Sequence, residues 1–252
     1  MPYYVFAWIA SFSAGIYVAL SKITSKYAIS NPWYFNFLFS FVVLLYIIPV
    51  ALLNHAGMPN DWIPILISAI FAALFNIFLI LSIYALDITI LSPLFNFRTV
   101  FAVLLGFFFL REQLSNHQWL IIGIIVVMGI FSTFDEKFSI RSFFKPSIAI
   151  GLATMLFLAL NNAFIKQALV HNDLWTANLW IFIITFALTL FSFPLFQKDL
   201  KRIKKTQILP IIAMGFFSIV TNLASSAAYK INVGITSVIM SIPFSMIIVF
   251  LL

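Results

Sequence analysis

Long apolar runs separated by short polar gaps make up most of this chain of 252 residues. A transmembrane helix needs about 20 mainly apolar residues to cross about 30 Å of hydrocarbon. The predicted spans are Tyr4–Leu20, Trp33–Leu53, Trp62–Tyr84, Ile88–Leu110, Gln118–Phe134, Ile148–Val170, Trp175–Phe196, Ile208–Tyr229 and Ile235–Leu252. These runs lack the alternating polarity and the length of roughly ten residues that barrel strands show. The pattern therefore predicts an all-α integral membrane protein with nine antiparallel helices.

The composition excludes an ordinary soluble domain. Apolar residues make up 63% of the chain and charged residues 8%, with a mean hydropathy of +1.12, whereas soluble domains contain about 45–50% apolar and about 25% charged residues. The absence of cysteine excludes disulfides and thiolate-bound metals. The three histidines are far apart in sequence, so neither a metal site nor a cofactor is expected.

Basic residues are concentrated on one side of the predicted membrane. The gaps after spans one, five and seven contain Lys22, Lys26, Lys137, Arg141, Lys145, Lys198, Lys201, Arg202, Lys204 and Lys205. The opposite side has only Arg111 and Lys230. The positive-inside rule therefore predicts a multi-pass plasma-membrane protein with an external N-terminus. The net charge of +7 comes from basic residues in the gaps between apolar runs, where they orient a membrane protein. A nucleic-acid partner is therefore not expected.

Similar residues recur at offsets of 142 to 146 residues. The matched pairs are Trp33 with Trp175, Asn36 with Asn178, Lys22 with Lys166, Asn76 with Asn222, and Tyr84 with Tyr229. This pattern predicts a duplicated five-helix unit, and because five is odd the two units have opposite topology. Residues 1–145 form the first unit and residues 146–252 the second. We expect a ten-helix architecture that is truncated before its last helix.

The stretch Tyr84–Gly129 resembles the fourth and fifth helices of EamA-type transporters of the drug/metabolite transporter superfamily. The matching features are Ala85-Leu86, Ser92-Pro93-Leu94, Phe109-Leu110, Glu112, Leu114, Gln118-Trp119, Gly123 and Gly129. This resemblance implies two inverted five-helix halves and a transport function. The chain departs from the family at Arg111, where a glycine is usual. The family also usually has both termini in the cytoplasm, which leaves the orientation open.

Arg98 is the first candidate for a substrate site, because inverted-repeat transporters bind substrate near the membrane midplane. It lies near the centre of span four, where a charged side chain costs about 2.5–3.5 kcal/mol on the translocon scale. It should therefore face a polar cavity or a partner. One hypothesis is a bidentate anchor for an anionic or carboxylate-bearing substrate. The alternative is a structural pair with Asp87 or with carbonyls at a helix end.

Further candidates are polar side chains in the middle of spans or at repeat-related positions. They are Ser13, Tyr17, Asn76, Asn161, Asn162, Lys166 and Asn222. Such groups either bind a ligand or link helices, the latter at about 0.6–2 kcal/mol each. Lys166 is also near enough to the end of its span to extend to the interface. We attribute Thr221, Ser225 and Ser226 to close helix packing.

These observations favour a secondary transporter of a small polar or amphipathic metabolite, such as an amino acid. The two halves would alternate access to a central site, with efflux as the expected direction and a monomer as the favoured state. Because no span contains an acidic residue away from its ends, proton coupling through a central carboxylate is disfavoured.

An enzyme is not expected. The sequence contains no His-Glu-x-x-His motif, no paired intramembrane carboxylates and no phosphate-binding glycine loop. The alternatives are an intramembrane enzyme acting on a lipid-linked substrate, and a non-transporting scaffold or inactive truncated homologue. A polar cavity around Arg98 would favour transport, whereas a closed and dry core would favour a scaffold.

Overall fold

A computed structural model describes residues 2–87, 90–91, 94–109, 117, 119–120, 123–124, 127, 145–202, 205–240, 242, 244 and 248. Its helices are α1 (Tyr3–Tyr27), α2 (Pro32–Leu53), α3 (Ile63–Ala85), α4 (Phe97–Phe109), α5 (Pro146–His171), α6 (Leu174–Thr189), α7 (Lys205–Tyr229) and α8 (Val233–Met240). Two 3₁₀ segments, Leu190–Leu195 and Asp199–Arg202, follow α6. Within these ranges there is no strand, and the all-α prediction is confirmed.

Six of these helices are long and apolar enough to cross a bilayer. They are α1, α2, α3, α5, α7, and α6 together with the 3₁₀ segment Leu190–Leu195. The chain is therefore a multi-pass membrane protein, as the hydropathy pattern predicts. Predicted span five lies largely outside the described residues, as does the end of span nine.

The first helix is longer than the sequence predicts, since α1 continues past Leu20 to Tyr27. The polar residues at its end do not terminate it because the bundle accommodates them. The Nζ atom of Lys22 donates to the carbonyl oxygens of Ile83 (2.7 Å) and Leu86 (2.6 Å) at the end of α3. A cation at the C-terminal end of a helix is favourably placed, because the last carbonyl groups have no partner within the helix.

The fourth predicted span is interrupted. Phe95 and Asn96 form a turn, with Arg98 N donating to Phe95 O (3.2 Å) and Thr99 N to Asn96 O (3.0 Å). Helix α4 begins at Phe97. The expectation that Arg98 occupies the centre of one continuous helix is therefore wrong. Hydropathy alone could not locate this break, because the turn residues are flanked by apolar ones on both sides.

The core lies where α1, α2, α3, α5 and α7 meet, around side chains such as Phe35, Leu79, Met155 and Met214. The backbone of α7 approaches α2 closely at Gly215, where an added Cβ would lie 2.5 Å from a γ-carbon of Val42. Small residues allow such close contact between membrane helices.

The most extensive helix pairings are α3 with α5 and α1 with α7. The predicted repeat relates α1 to α5 and α3 to α7. It therefore maps the pair α3–α5 onto the pair α7–α1, and the reverse. This exchange is the packing that two inverted units would produce, although the repeat itself stays a prediction.

Hydrogen bonds tie connecting segments together at both ends of the bundle. At one end, Asn60 N donates to Asn172 Oδ1 (2.8 Å), which we call the Asn60–Asn172 tie. At the other end, Asn31 Nδ2 donates to Asp199 Oδ2 (2.6 Å), which we call the Asn31–Asp199 tie. Each tie joins a segment of the first predicted unit to a segment of the second. The first tie joins the α2–α3 connection to the α5–α6 connection, and the second joins the α6–α7 connection to the α1–α2 connection. The predicted repeat maps one of these pairs of connections onto the other.

Side-chain caps begin the second helix of each predicted unit. Asn31 Oδ1 accepts from Trp33 N (2.9 Å), and Asp173 Oδ1 accepts from the backbone N–H groups of Trp175 (2.9 Å) and Thr176 (2.9 Å). Asn31 and Asp173 are 142 positions apart, as are Trp33 and Trp175. Partial burial raises the pKa of Asp173, but hydrogen bonds from Thr176 and Trp175 outweigh it, so the pKa is lowered overall.

We expect Asp173→Ala to lower the free energy of unfolding by about 1 kcal/mol, since it removes an N-cap. Chemical denaturation in detergent micelles measures this change. Because folding lowers the pKa of Asp173, its contribution is present at neutral pH and is lost as the pH falls through that pKa. Asp173→Asn keeps the cap without titrating and serves as the control. Equal stability of the wild type and Asp173→Ala at neutral pH would refute the cap assignment.

Candidate functional site

A cavity lies at the centre of the bundle, and residues from all eight described helices line it. Its non-atom space is about 1040 Å³ including the open side, and about 100 Å³ of this admits the centre of a water-sized sphere. One water needs about 10–15 Å³ of such space. The cavity therefore has room for a small ligand or several waters. This open space fits the transport alternative better than the scaffold alternative.

Six of the eight predicted site residues line this cavity. They are Tyr17, Asn76, Arg98, Asn161, Asn162 and Asn222. They come from five different helices, so the fold brings together residues that are distant in sequence. Ser13 is buried in α1 and Lys166 is partly buried in α5, but neither belongs to the lining.

Arg98 is only 5% exposed. One of its terminal nitrogens donates to the hydroxyl of Tyr229 and lies 3.7 Å from the sulfur of Met240. Its Cζ atom is 5.8 Å from the centroid of the Tyr229 ring, which is cation–π range. Its Nε atom makes no hydrogen bond within the described part of the protein. Arg98 thus lines the cavity, and one donor of its guanidinium has no partner among the described residues.

Asp87, the acidic partner considered from the sequence, lies elsewhere. It is close enough to Lys22 to interact electrostatically, near the end of α3. Within the described ranges, Arg98 makes an ion pair neither with Asp87 nor with another carboxylate, and its side chain contacts Tyr229 and Met240 instead. If Arg98 has only a structural role, its polar partner is therefore the neutral hydroxyl of Tyr229 and not the carboxylate of Asp87.

Asn161 and Asn162 are sequence neighbours with different surroundings. Asn161 Nδ2 donates to both the carbonyl oxygen and the hydroxyl of Ser68, each at 2.9 Å, and so links α5 to α3. Asn162 is 2% exposed, and its Nδ2 atom has no hydrogen-bond partner among the described residues. The first amide is used for helix packing, whereas the second is available to a ligand.

The remaining predicted residues contribute to the wall of the cavity. The ring of Tyr17 stacks on Phe39 with centroids 5.1 Å apart. Asn222 Nδ2 donates to the carbonyl of Ser218, one turn earlier in its own helix (2.8 Å). Asn76, from α3, is half-buried. Helix α3 and helix α7 thus present one asparagine each to the cavity.

Sequence reasoning did not place several polar lining residues in the site. They are Ser40, Asn178, Thr185, Ser218, Thr221 and Ser225. Asn178 carried a signal, since it is repeat-related to Asn36, and its Oδ1 accepts from Ser226 (3.1 Å). The small hydroxyl residues gave no signal, because in a membrane helix they are equally suited to close packing.

A sequence model of the EamA-like transporter family matches residues 1–134. The chain belongs to the EamA-like transporter family. The match includes α1 to α4 and the whole stretch Tyr84–Gly129, which carries the resemblance. No curated protein is similar enough to match the chain.

Membership in this family makes the protein a membrane transporter of the drug/metabolite transporter superfamily. Members are transporters and not enzymes, which fits the expectation drawn from the sequence. Among the described residues, no group of three or more His, Cys, Asp or Glu side chains is placed to hold a metal ion.

The two neighbouring asparagines provide a matched test of these assignments. We expect Asn161→Ala to lower the free energy of unfolding by about 1–3 kcal/mol, because the buried polar atoms of Ser68 lose their partner. Asn162→Ala should change stability much less, because it removes no hydrogen bond made by Nδ2. Thermal unfolding of both variants in one detergent makes the comparison. Equal losses would show that the two amides have the same structural role.

Proposed function

We propose that this EamA-like protein is a secondary transporter of a small metabolite that binds in the central cavity. Arg98 would anchor an anionic or carboxylate group of the substrate. The supporting observation is the unpartnered Nε atom of a buried guanidinium in a cavity that all eight described helices line. A charge in such a position is costly unless it serves a ligand or a partner. Asn162 supplies a second available donor nearby in the lining.

Movement of the substrate requires that each end of the bundle open in turn. The Asn60–Asn172 tie and the Asn31–Asp199 tie join the two predicted halves at opposite ends. Further bonds support them, since Trp180 Nε1 donates to the carbonyl of Gly57 (2.9 Å) at the first end. We therefore propose alternating access, in which one set of ties breaks while the other holds.

The charge distribution and the family resemblance support a proposal for the membrane and for the direction of transport. The cluster of basic residues favours a plasma-membrane orientation with that side in the cytoplasm. The resemblance to EamA-type transporters favours efflux of the substrate. Uptake and release assays with vesicles of known orientation measure the direction.

We expect Arg98→Ala to abolish transport of the substrate in proteoliposomes while the protein remains folded. The physical reason is that no other cation lines the described part of the cavity. The assay screens the wild type against carboxylates, amino acids and amines, and then compares the variants. Lys198→Ala is the control, because it removes an exposed positive charge outside the cavity. Transport by Arg98→Ala at the wild-type rate would contradict the anchoring role.

Cross-linking tests the alternation directly, since the natural chain contains no cysteine. One double variant carries Asn31→Cys and Asp199→Cys, and the other carries Asn60→Cys and Asn172→Cys. A short bifunctional thiol reagent should stop transport in either variant, and its reductive cleavage should restore it. The four single-cysteine variants control for modification alone. Undiminished transport in fully cross-linked protein would rule out opening at that end.

A further inference from the structure

Among the described residues, no acidic side chain lines the cavity to balance the positive charge of Arg98. Of the described residues that line the cavity, Arg98 carries a charge and the others are neutral. All seven acidic residues of the chain lie at or beyond the ends of the predicted spans. They are Asp61, Asp87, Glu112, Asp135, Glu136, Asp173 and Asp199. A ligand that binds in this cavity must therefore supply the negative charge itself.

Three fully buried polar atoms of the lining residues make no hydrogen bond within the described part of the protein, and two of them are obligate donors. Arg98 Nε and Asn162 Nδ2 can only donate, and the hydroxyl of Ser40 can donate or accept. All three atoms are buried and belong to residues that line the cavity. Buried donors of this kind favour a ligand that carries acceptor oxygens. A carboxylate, which offers acceptors and a negative charge together, fits both requirements.

Aromatic side chains form part of the remaining wall. Five phenylalanines line the cavity: Phe39, Phe75, Phe95, Phe182 and Phe186. They come from α2, α3, the turn before α4, and α6. These rings favour an apolar group on the ligand, because its transfer from water gains roughly 25 cal/mol for each Å² buried. The lining thus combines one cationic side chain, Arg98, with five aromatic rings.

An α-ammonium group finds no comparable partner. Its acceptors in the described lining are neutral oxygens of asparagine, serine, threonine and tyrosine side chains, and the guanidinium of Arg98 repels it. A charge that is transferred from water into an apolar site without a counter-charge is strongly disfavoured. An amino acid would satisfy Arg98 with its carboxylate but would leave its ammonium group uncompensated.

We propose that the cavity selects an amphipathic monocarboxylate over the zwitterionic amino acid with the same skeleton. This inference rests on the proposed transport function and specifies its substrate class. It narrows the broader expectation of an amino acid or related metabolite to an organic anion with a compact apolar group.

Three probes that differ only in their charged groups test the proposal. 3-Phenylpropionate has the carboxylate alone, phenylalanine adds the α-ammonium group, and phenethylamine has the ammonium group alone. Equilibrium binding to the purified protein at neutral pH should give at least about tenfold tighter binding of 3-phenylpropionate than of phenylalanine, which corresponds to about 1.4 kcal/mol. Phenethylamine should bind more weakly than either. The same comparison with hexanoate, norleucine and pentylamine removes dependence on the aromatic ring.

Variants of Arg98 assign the preference to the guanidinium. Arg98→Gln should remove the discrimination between 3-phenylpropionate and phenylalanine. Arg98→Lys should keep its direction but weaken binding, because lysine keeps the charge without the planar fork. Asn162→Ala should weaken carboxylate binding with little change in thermal stability, and it remains informative if Arg98→Gln does not fold.

The outcomes separate this inference from the transport function. Equal or tighter binding of the amino acids or amines would overturn the proposed selectivity, as would failure of both carboxylates to bind. If amino acids are transported in proteoliposomes and the carboxylates are not, the substrate class is wrong but the transport function stands. If a carboxylate binds with the expected preference and is not transported, the transport function fails while the selectivity holds.

Discussion

The cost of placing a guanidinium inside a lipid-embedded helical bundle governs the centre of this protein. Arg98 is almost fully buried, and the groups around it compensate its charge only in part. The Tyr229 hydroxyl accepts one hydrogen bond, the Tyr229 ring supplies a cation–π contact and Met240 supplies a weak sulfur acceptor. A carboxylate within the bundle would neutralise the charge permanently. The described acidic residues lie at helix ends or in connecting segments instead, so the charge remains available at the cavity; they are Asp61, Asp87, Asp173 and Asp199.

The polar groups of the core fall into two sets, which explains how a membrane bundle is both stable and receptive to a ligand. One set pairs between helices, as Asn161 does with Ser68 and as the hydroxyls of Ser82 and Thr154 do at 3.0 Å. In hydrocarbon these pairs hold helices together without a hydrophobic driving force. The other set faces the cavity and has hydrogen-bonding capacity to spare, as with Asn162 Nδ2. The difference is made by the partners within reach and not by residue type, since Asn161 and Asn162 both line the cavity.

The contacts between the two predicted halves also bear on how the cavity could open at either end. The strongest helix pairings and the two end ties all join the first half to the second, and the predicted repeat exchanges them. A structure held together in this way has two similar closures at opposite ends of one cavity. Each closure consists of a few hydrogen bonds at segment ends, where water is available to replace them. Such contacts are easier to break than the apolar core between the ends.

The sequence by itself determined the helical class and most of the spans, because hydrocarbon admits only structures that satisfy their own backbone. It also indicated Arg98, since an isolated charge in an apolar run has few explanations. It could not decide between Asn161 and Asn162, or between Ser13 and Tyr17, because the helices are apolar on all sides and their hydropathy does not reveal which face is inward. The turn at Phe95 and Asn96 and the contact of Arg98 with Tyr229 also required the tertiary structure. They depend on how distant helices pack, and local sequence carries no record of that packing.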